Sequence, residues 1–229
     1  MKRIACTIIL TLALAGPAAA DPDFDAPANA PRIVDAAAAR AGCLPDYAAP
    51  IVERPCQLAK FGTIGTIDGH TFDFARYSFA TASGANMGAR ALIFEHADAG
   101  KLKTLFVPEN IGGPFSDPEV IKSPQGSLLL IPGFDTGTGN LNRERLYVWR
   151  KTEWHLADTT SWLDALMKRL PKGLSALKGI YPDYARMTAS TPLWRKSDGN
   201  ASPSGGRASI RLAWKGDAVV LTAVDVRRR

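Results

Sequence analysis

Ser127-Leu-Leu-Leu-Ile-Pro132, Gly133-Phe-Asp-Thr-Gly-Thr-Gly-Asn-Leu-Asn-Arg-Glu144 and Arg145-Leu-Tyr-Val-Trp-Arg150 follow one another without a break. Two short apolar runs flank a polar loop rich in glycine, the pattern of two strands joined at one end. Glu153–Ala157 is expected to return along Leu146–Arg150 across Lys151-Thr152. Apolar runs of this length, bounded by turn residues, set the reading of the rest of the chain.

Working outward, Thr63–Ile67 ends at Asp68-Gly69, and Phe72–Phe79 carries four aromatics. Phe72 and Phe74 share one parity, Tyr77 and Phe79 the other, which predicts a bulge near Ala75-Arg76. Ala91–Phe94 and Leu102–Val107 are further strands joined across Asp98-Ala-Gly100, and Asn110–Pro118 reads as loop. Tyr184–Thr188 and Pro192–Arg195 follow the same pattern. The clearest hairpin is the last: Ile210, Leu212 and Trp214 alternate with Ser209, Arg211 and Ala213, Gly216-Asp217 turns, and Val219–Val226 returns. Only two helices are predicted. Pro31–Ala41 is alanine-rich and stops at Gly42; Ser161–Leu170 places Trp162, Leu163, Leu166, Met167 and Leu170 on one face behind a Ser161-x-x-Asp164 capping box. The fold class is therefore mainly β, an antiparallel sheet or sandwich-like arrangement with two short helices. The alternative is α+β, with Ser161–Leu170 packed on a sheet.

The N-terminus carries an address. Lys2 and Arg3 precede an apolar run, and Ala18-Ala19-Ala20 supplies small residues before Asp21. This is the pattern of a cleaved secretory signal, too short to span a bilayer. Residues 1–20 are read as signal peptide, 21–30 as a flexible tether, and 31–229 as a single β-rich domain with an N-terminal helix. The expected location is periplasmic or secreted, in a bacterium, with no transmembrane segment once the signal is removed. The formal charge of +6 falls to +4 when Lys2 and Arg3 leave. Basic residues are spread along the chain rather than gathered on one face, which argues against nucleic acid. Cys6 leaves with the signal. Cys43 and Cys56 remain, and two cysteines this close in an oxidising compartment are expected to bridge.

The string Leu193-Trp194-Arg195-x-x-Asp198-x-Asn200-x-x-Pro203-x-Gly205-Gly206 resembles a signature of uncharacterised exported bacterial proteins. Gly137-Thr138-Gly139 followed by Tyr147-Val148-Trp149 is similar to the same family. The resemblance covers roughly the last half of the chain. Ala201 and Ser202 stand where such relatives often carry cysteines, and the family implies export but no activity.

The chemistry-bearing motifs are few. Phe134-Asp135-Thr136-Gly137-Thr138 resembles the Asp-Thr-Gly signature of pepsin-like and retroviral-type aspartic proteases. That chemistry needs two carboxylates sharing a proton, and the chain has one such motif, so Asp135 is a catalytic candidate only if a second copy joins it. The alternative is a hairpin loop whose Asp, Gly and Asn supply turn geometry. Asp135, Asn140, Asn142 and Glu144 offer oxygens to calcium at spacings that match no loop motif. Ser175-Ala-Leu-Lys178 matches Ser-x-x-Lys without the later Lys-Thr-Gly. His70, His96 and His155 lie far apart and read as surface or turn residues. The five tryptophans, at 149, 154, 162, 194 and 214, read as core, with a carbohydrate-facing surface as the rival. No cofactor and no metal is expected. These features favour an exported, non-catalytic binding or interaction protein of the envelope whose ligand the sequence does not name, another envelope protein or a glycan being the candidate partners. The rivals are an aspartic-protease-like hydrolase using Asp135, and an accessory subunit of an envelope complex. A large exposed apolar patch would point to the last.

Processing is testable. Intact-mass measurement of the exported protein is expected to show a chain beginning at Asp21, and a full-length membrane-bound species would overturn the signal assignment.

Overall fold

The computed structural model describes residues 32–45, 56–80, 86–106, 116–134 and 139–227. Over these residues the chain is mainly β, with antiparallel sheets and two helices. The first sheet holds β1 (Ile33–Asp35), β2 (Cys56–Ile67), β3 (His70–Ala80), β4 (Asn86–His96) and β5 (Lys101–Phe106), in the order β1-β5-β4-β3-β2. Helix α1 (Ala36–Ala41) lies between β1 and β2 in the chain. The second sheet is the meander β6 (Glu119–Ser123), β7 (Gly126–Ile131), β8 (Arg145–Arg150) and β9 (Glu153–Leu156). Helix α2 (Ser161–Arg169) leads to the third sheet: β10 (Leu174–Ser175), β11 (Thr188–Arg195), β12 (Gly206–Lys215) and β13 (Ala218–Arg227).

The three sheets stack because β8 is apolar on both faces. Its four inner residues, Leu146, Tyr147, Val148 and Trp149, are all buried. Side chains alternate along a strand, so they go two each way. Tyr147 joins Leu129 and Ile131 of β7 against Phe74, Ala91 and Ile93 of the first sheet. Trp149 packs on Ile67 and Phe72 at the rim of the same interface, its ring 5.3 Å from that of Phe72. Leu146 and Val148, with Leu128, point the opposite way. They meet Trp162, Leu166 and Leu170 at α2 and Leu193, Ile210, Leu212 and Val219 of the third sheet. Helix α1 covers the outer face of the first sheet through Ala36 and Ala39, against Ala75, Tyr77, Leu92 and Phe94.

Both hairpins expected from the sequence form as read. Tyr147 pairs with Leu156 and Arg150 with Glu153 around the Lys151-Thr152 turn, and Trp214 pairs with Val219 around Gly216-Asp217. Other expectations change. The aromatic parity switch in β3 needs no bulge at Ala75-Arg76. Phe72 and Phe74 face the second sheet while Ala75 and Tyr77 face α1, so both parities are buried by ordinary alternation. The β2–β3 ladder does shift register beside Arg76, between Leu58 and Lys60 of β2, and again between Thr63 and Gly65, and the β3–β4 ladder shifts between Ser78 and Ala80. The first helix is shorter than Pro31–Ala41. Ile33–Asp35 pairs with Lys101–Lys103, as suits β-branched Ile33 and Val34. Asp35 then caps the helix, accepting from the N–H groups of Ala37 and Ala38 at 2.8 and 3.2 Å. Glu119–Ser123, unassigned from the sequence, is a strand on β7. Tyr184 sits in a turn rather than a strand, because Asp183 accepts the Arg186 N–H and Met187 takes a positive φ before β11 begins.

Helix α2 is capped by Asp158, not by a Ser161-x-x-Asp164 box. Asp158 Oδ1 accepts the backbone N–H groups of Thr160 and Ser161 at 2.9 and 3.0 Å. Burial raises its carboxyl pKa, but bonds from the Ser161 hydroxyl, the Ser161 and Thr160 N–H groups and the Thr160 hydroxyl outweigh that and hold it at about 2. Asp158 is itself fixed by the third sheet: its N–H donates to Asp217 O and its carbonyl accepts from Val219 N–H, both at 2.9 Å. The Leu193–Gly206 string also has a structural role. Asp198 Oδ2 accepts the N–H groups of Arg195 and Ser204, folding the β11–β12 connection back on itself. Gly205 lies so close to Leu193 O that a Cβ would stand 2.8 Å away, and Gly206 has φ +98°.

Cys43 and Cys56 stand at disulfide distance, Cα atoms 6.2 Å apart, and pack with the cluster between α1 and the first sheet. Closing a loop of 13 residues removes about 3 kcal/mol of unfolded-chain entropy. Thermal unfolding is therefore expected at a lower temperature with reductant than without. Equal midpoints would show that the bridge carries no stability.

Candidate functional site

The apolar stripe of α2 is wider than a core contact needs. Trp162, Leu166 and Leu170 recur every four residues and enter the core. Leu163 and Met167 lie one residue, about 100°, further round the helix. Leu163, half-buried, still packs on the same core from its flank, whereas Met167 is 45% exposed. Together with Leu166 they form one side of a groove of about 250 Å³ whose other lining comes from Leu141, Asn142, Ala176, Lys178 and Ile180. Leu141, Met167, Leu177 and Tyr181 are four of the six large apolar side chains exposed among the described residues. All four line this groove or sit on its bordering segment, so the exposure is local rather than scattered.

The far wall is two segments stitched together by hydrogen bonds. Gly179 N–H donates to Gly139 O at 2.8 Å, and the Tyr181 hydroxyl donates to Asn140 O at 2.6 Å. The Asn142 side chain spans both backbone groups of Ile180, accepting its N–H at 2.8 Å and donating to its carbonyl at 2.7 Å. The approach is so close that a Cβ on Gly179 would lie 2.0 Å from Asn140 O. Glycine at 179 is therefore a packing requirement.

Beneath the wall is a buried carboxyl group. Glu144 is 6% exposed, just before β8. The Asn142 amide donates to both of its oxygens at 3.0 Å, and the buried Tyr184 hydroxyl donates to Oε1 at 3.0 Å. Burial pushes the Glu144 pKa up; its own N–H, Asn142, Tyr184 and the nearby Arg145 charge offset this only in part. Burial and then the Glu144 charge push the Tyr184 hydroxyl up, so it remains a donor at every ordinary pH. The result is a sealed polar floor: Asn142 has its donors and acceptor committed to Glu144 and Ile180, and the groove gains no free polar group from it. Lys178 differs. It lines the groove, is exposed, and makes no ion pair or hydrogen bond to another described residue.

The sequence candidates fall out differently. Asp135 and the rest of Asp135–Thr138 lie outside the described residues. Just inside them, Arg143 N–H donates to Gly133 O and Phe134 bridges Asn142. Asn142 and Glu144 do not converge as calcium donors, because the Asn142 NH₂ occupies the side of Glu144 that a cation would need. Ser175 belongs to β10, paired with Trp194, while Lys178 lies on the groove. Each histidine has a carboxylate partner: His70 with Glu95, His96 with fully buried Asp73 at 2.8 Å, and His155 with Glu153. The first two are cross-strand neighbours in the first sheet, invisible to linear spacing. Trp149, Trp162 and Trp194 are buried, as core residues would be. No helix among the described residues is long and apolar enough to cross a membrane. No protein-family model matches this chain, and no curated protein matches it either.

The groove floor gives a pH signature. A carboxyl whose folded pKa is raised holds a proton in the native state that the unfolded chain has released. Glu144 is therefore expected to make stability fall as pH climbs from its ordinary 4.5 through its raised value. Tyr184→Phe removes a donor that matters most to the ionised form. In urea denaturation over a pH series the loss caused by Tyr184→Phe is therefore expected to grow, by about 1–2 kcal/mol, as pH rises through the raised Glu144 value. A loss independent of pH would mean that the Tyr184 hydroxyl does not answer the Glu144 charge.

Proposed function

We propose that this chain is an exported, non-catalytic binding protein of the bacterial cell envelope that takes an apolar ligand in the groove beside α2. The observation that carries this reading is the placement of Leu163 and Met167. Leu163 packs on the core from its flank and Met167 lies beyond it, so the apolar stripe of α2 continues into a concave, walled space. Fully burying an apolar side chain is worth about 1.5–3 kcal/mol, so a ligand that covers Leu141 and Met167 draws binding energy from area that folding leaves in water. Export rests on the Lys2–Ala20 signal pattern, and membership of the envelope on the resemblance of the Leu193–Gly206 string. The partner of His96 has a structural role: Asp73 also accepts from Thr63 at 2.8 Å and from Arg40 of α1 at 3.4 Å, which clasps that helix to the sheet.

An accessory subunit is the second reading, favoured by exposed Leu177 and Tyr181 on the rim. The concavity supports a ligand instead, since protein contacts of this kind need a broader surface than one groove of about 250 Å³.

The uncharged dye N-phenyl-1-naphthylamine is expected to gain fluorescence with the native protein and to lose that gain with Met167→Glu, an exposed position where folding should survive. No gain, or an unchanged gain in the variant, would remove the groove reading. Acid-pH proteolysis of a denatured substrate that vanishes in Asp135→Asn would replace it with the hydrolase.

A further inference from the structure

We infer that the groove beside α2 selects a single-chain anionic amphiphile, a medium-chain fatty carboxylate, with Lys178 as the residue that recognises the charged end. The inference rests on the groove being a ligand site and names the class of ligand. Six of its eight lining residues are apolar: Leu141, Leu163, Leu166, Met167, Ala176 and Ile180. The two polar ones have opposite standing. Asn142 has both amide functions committed to Ile180 and Glu144, so it offers a ligand nothing. Lys178 carries a full positive charge with no partner among the described residues.

A neutral apolar ligand would leave that charge unanswered, and a cationic one would meet repulsion. A sugar needs several free donors and acceptors, which this lining does not present. A carboxylate for Lys178 and a hydrocarbon chain for the six apolar residues match the lining in kind. The Glu144 carboxylate lies below Asn142 and out of the groove lining, so it does not compete for the Lys178 position. The size agrees. About 250 Å³ lies below the usual range for drug-sized ligands, roughly 300–1,000 Å³, and suits one narrow chain better than a ring system or a helix with several anchors.

The test uses the mature protein and four probes in dye displacement or calorimetry: dodecanoate, 1-dodecanol, dodecyltrimethylammonium, and an acidic amphipathic peptide. All are kept below their aggregation thresholds. Dodecanoate is expected to bind most tightly, with affinity rising roughly fourfold per methylene from octanoate upward until the groove is full. Lys178→Met is expected to weaken dodecanoate about tenfold and leave 1-dodecanol unchanged. Lys178 is exposed, so the variant folds, and an unchanged thermal midpoint confirms it. Equal binding of dodecanoate and dodecanol, or no effect of Lys178→Met, overturns the anion selectivity while leaving an apolar-ligand groove. Binding of the peptide alone assigns the surface to a protein partner and overturns the inference. Binding of none of the four overturns the inference and the groove reading together.

Discussion

Burial of both faces of β8 is the constraint on which the rest of the structure depends. A strand with one wet face can stand at the side of a sandwich. Leu146-Tyr147-Val148-Trp149 has no face to spare for water, so the second sheet must be covered twice. The first sheet supplies one cover and α2 with the third sheet supplies the other. The tie between the second and third sheets then becomes specific. Arg150 Nε donates to Asp217 Oδ1 at 2.9 Å, and Asp158 exchanges backbone bonds with Asp217 and Val219. These contacts set where α2 begins, and hence which of its residues point inward.

That geometry makes the groove. With Trp162, Leu166 and Leu170 turned into the core, Leu163 and Met167 are carried to the flank by helical periodicity alone. The chain opposite is held by the other consequence of a twice-covered sheet. The described residues 139–144 that lead into β8 cannot run over either buried face, so they lie at the sheet end and must satisfy their polar groups there. Asn142, Glu144 and Tyr184 do this, with Ile180 supplying both backbone groups. A buried carboxylate is costly unless hydrogen-bonded, and each of these three donors and acceptors has its partner in the same knot. The groove wall is therefore tied by hydrogen bonds to the same sheet end.

The fold was legible where burial is one-sided or where a turn is written in sequence. The β8–β9 and β12–β13 hairpins carry alternating or bounded apolar runs with Lys151-Thr152 and Gly216-Asp217 between them, and both form as read. Legibility fails where burial is two-sided. Phe72 and Tyr77 looked out of phase only because one parity alone was expected to be buried. It also fails where distant partners decide the outcome. Ile33–Asp35 becomes a strand because β5 is there to receive it, and Asp158 caps α2 because the third sheet holds it in place. Glu119–Ser123 was too short and too polar to announce itself. Of the groove, the sequence named the pieces and not the place. Leu163 and Met167 share the apolar face of the helix and only Leu163 of the two packs on the core, while Asn142 and Glu144 read as a calcium loop and Lys178 as the partner of a serine. The one usable signal was the excess width of the α2 stripe.

The glycine-rich loop shows why composition misleads about chemistry. Glycine beside Asp, Thr and Asn suggests a backbone that must approach a substrate. In its described part the close approach is to the protein itself. Gly139 O receives Gly179 N–H, and Asn140 O lies where any side chain at 179 would have to go. Asn140 takes φ +43°, a conformation asparagine tolerates better than most residues, and so turns its carbonyl toward Tyr181. The Gly139 and Asn140 carbonyls, the Asn142 amide and the Tyr181 hydroxyl are answered from within the chain, which leaves the apolar faces of Leu141 and Met167 and the Lys178 charge facing the groove. What a surface leaves unsatisfied, rather than what its motif resembles, is the sounder guide to what it binds.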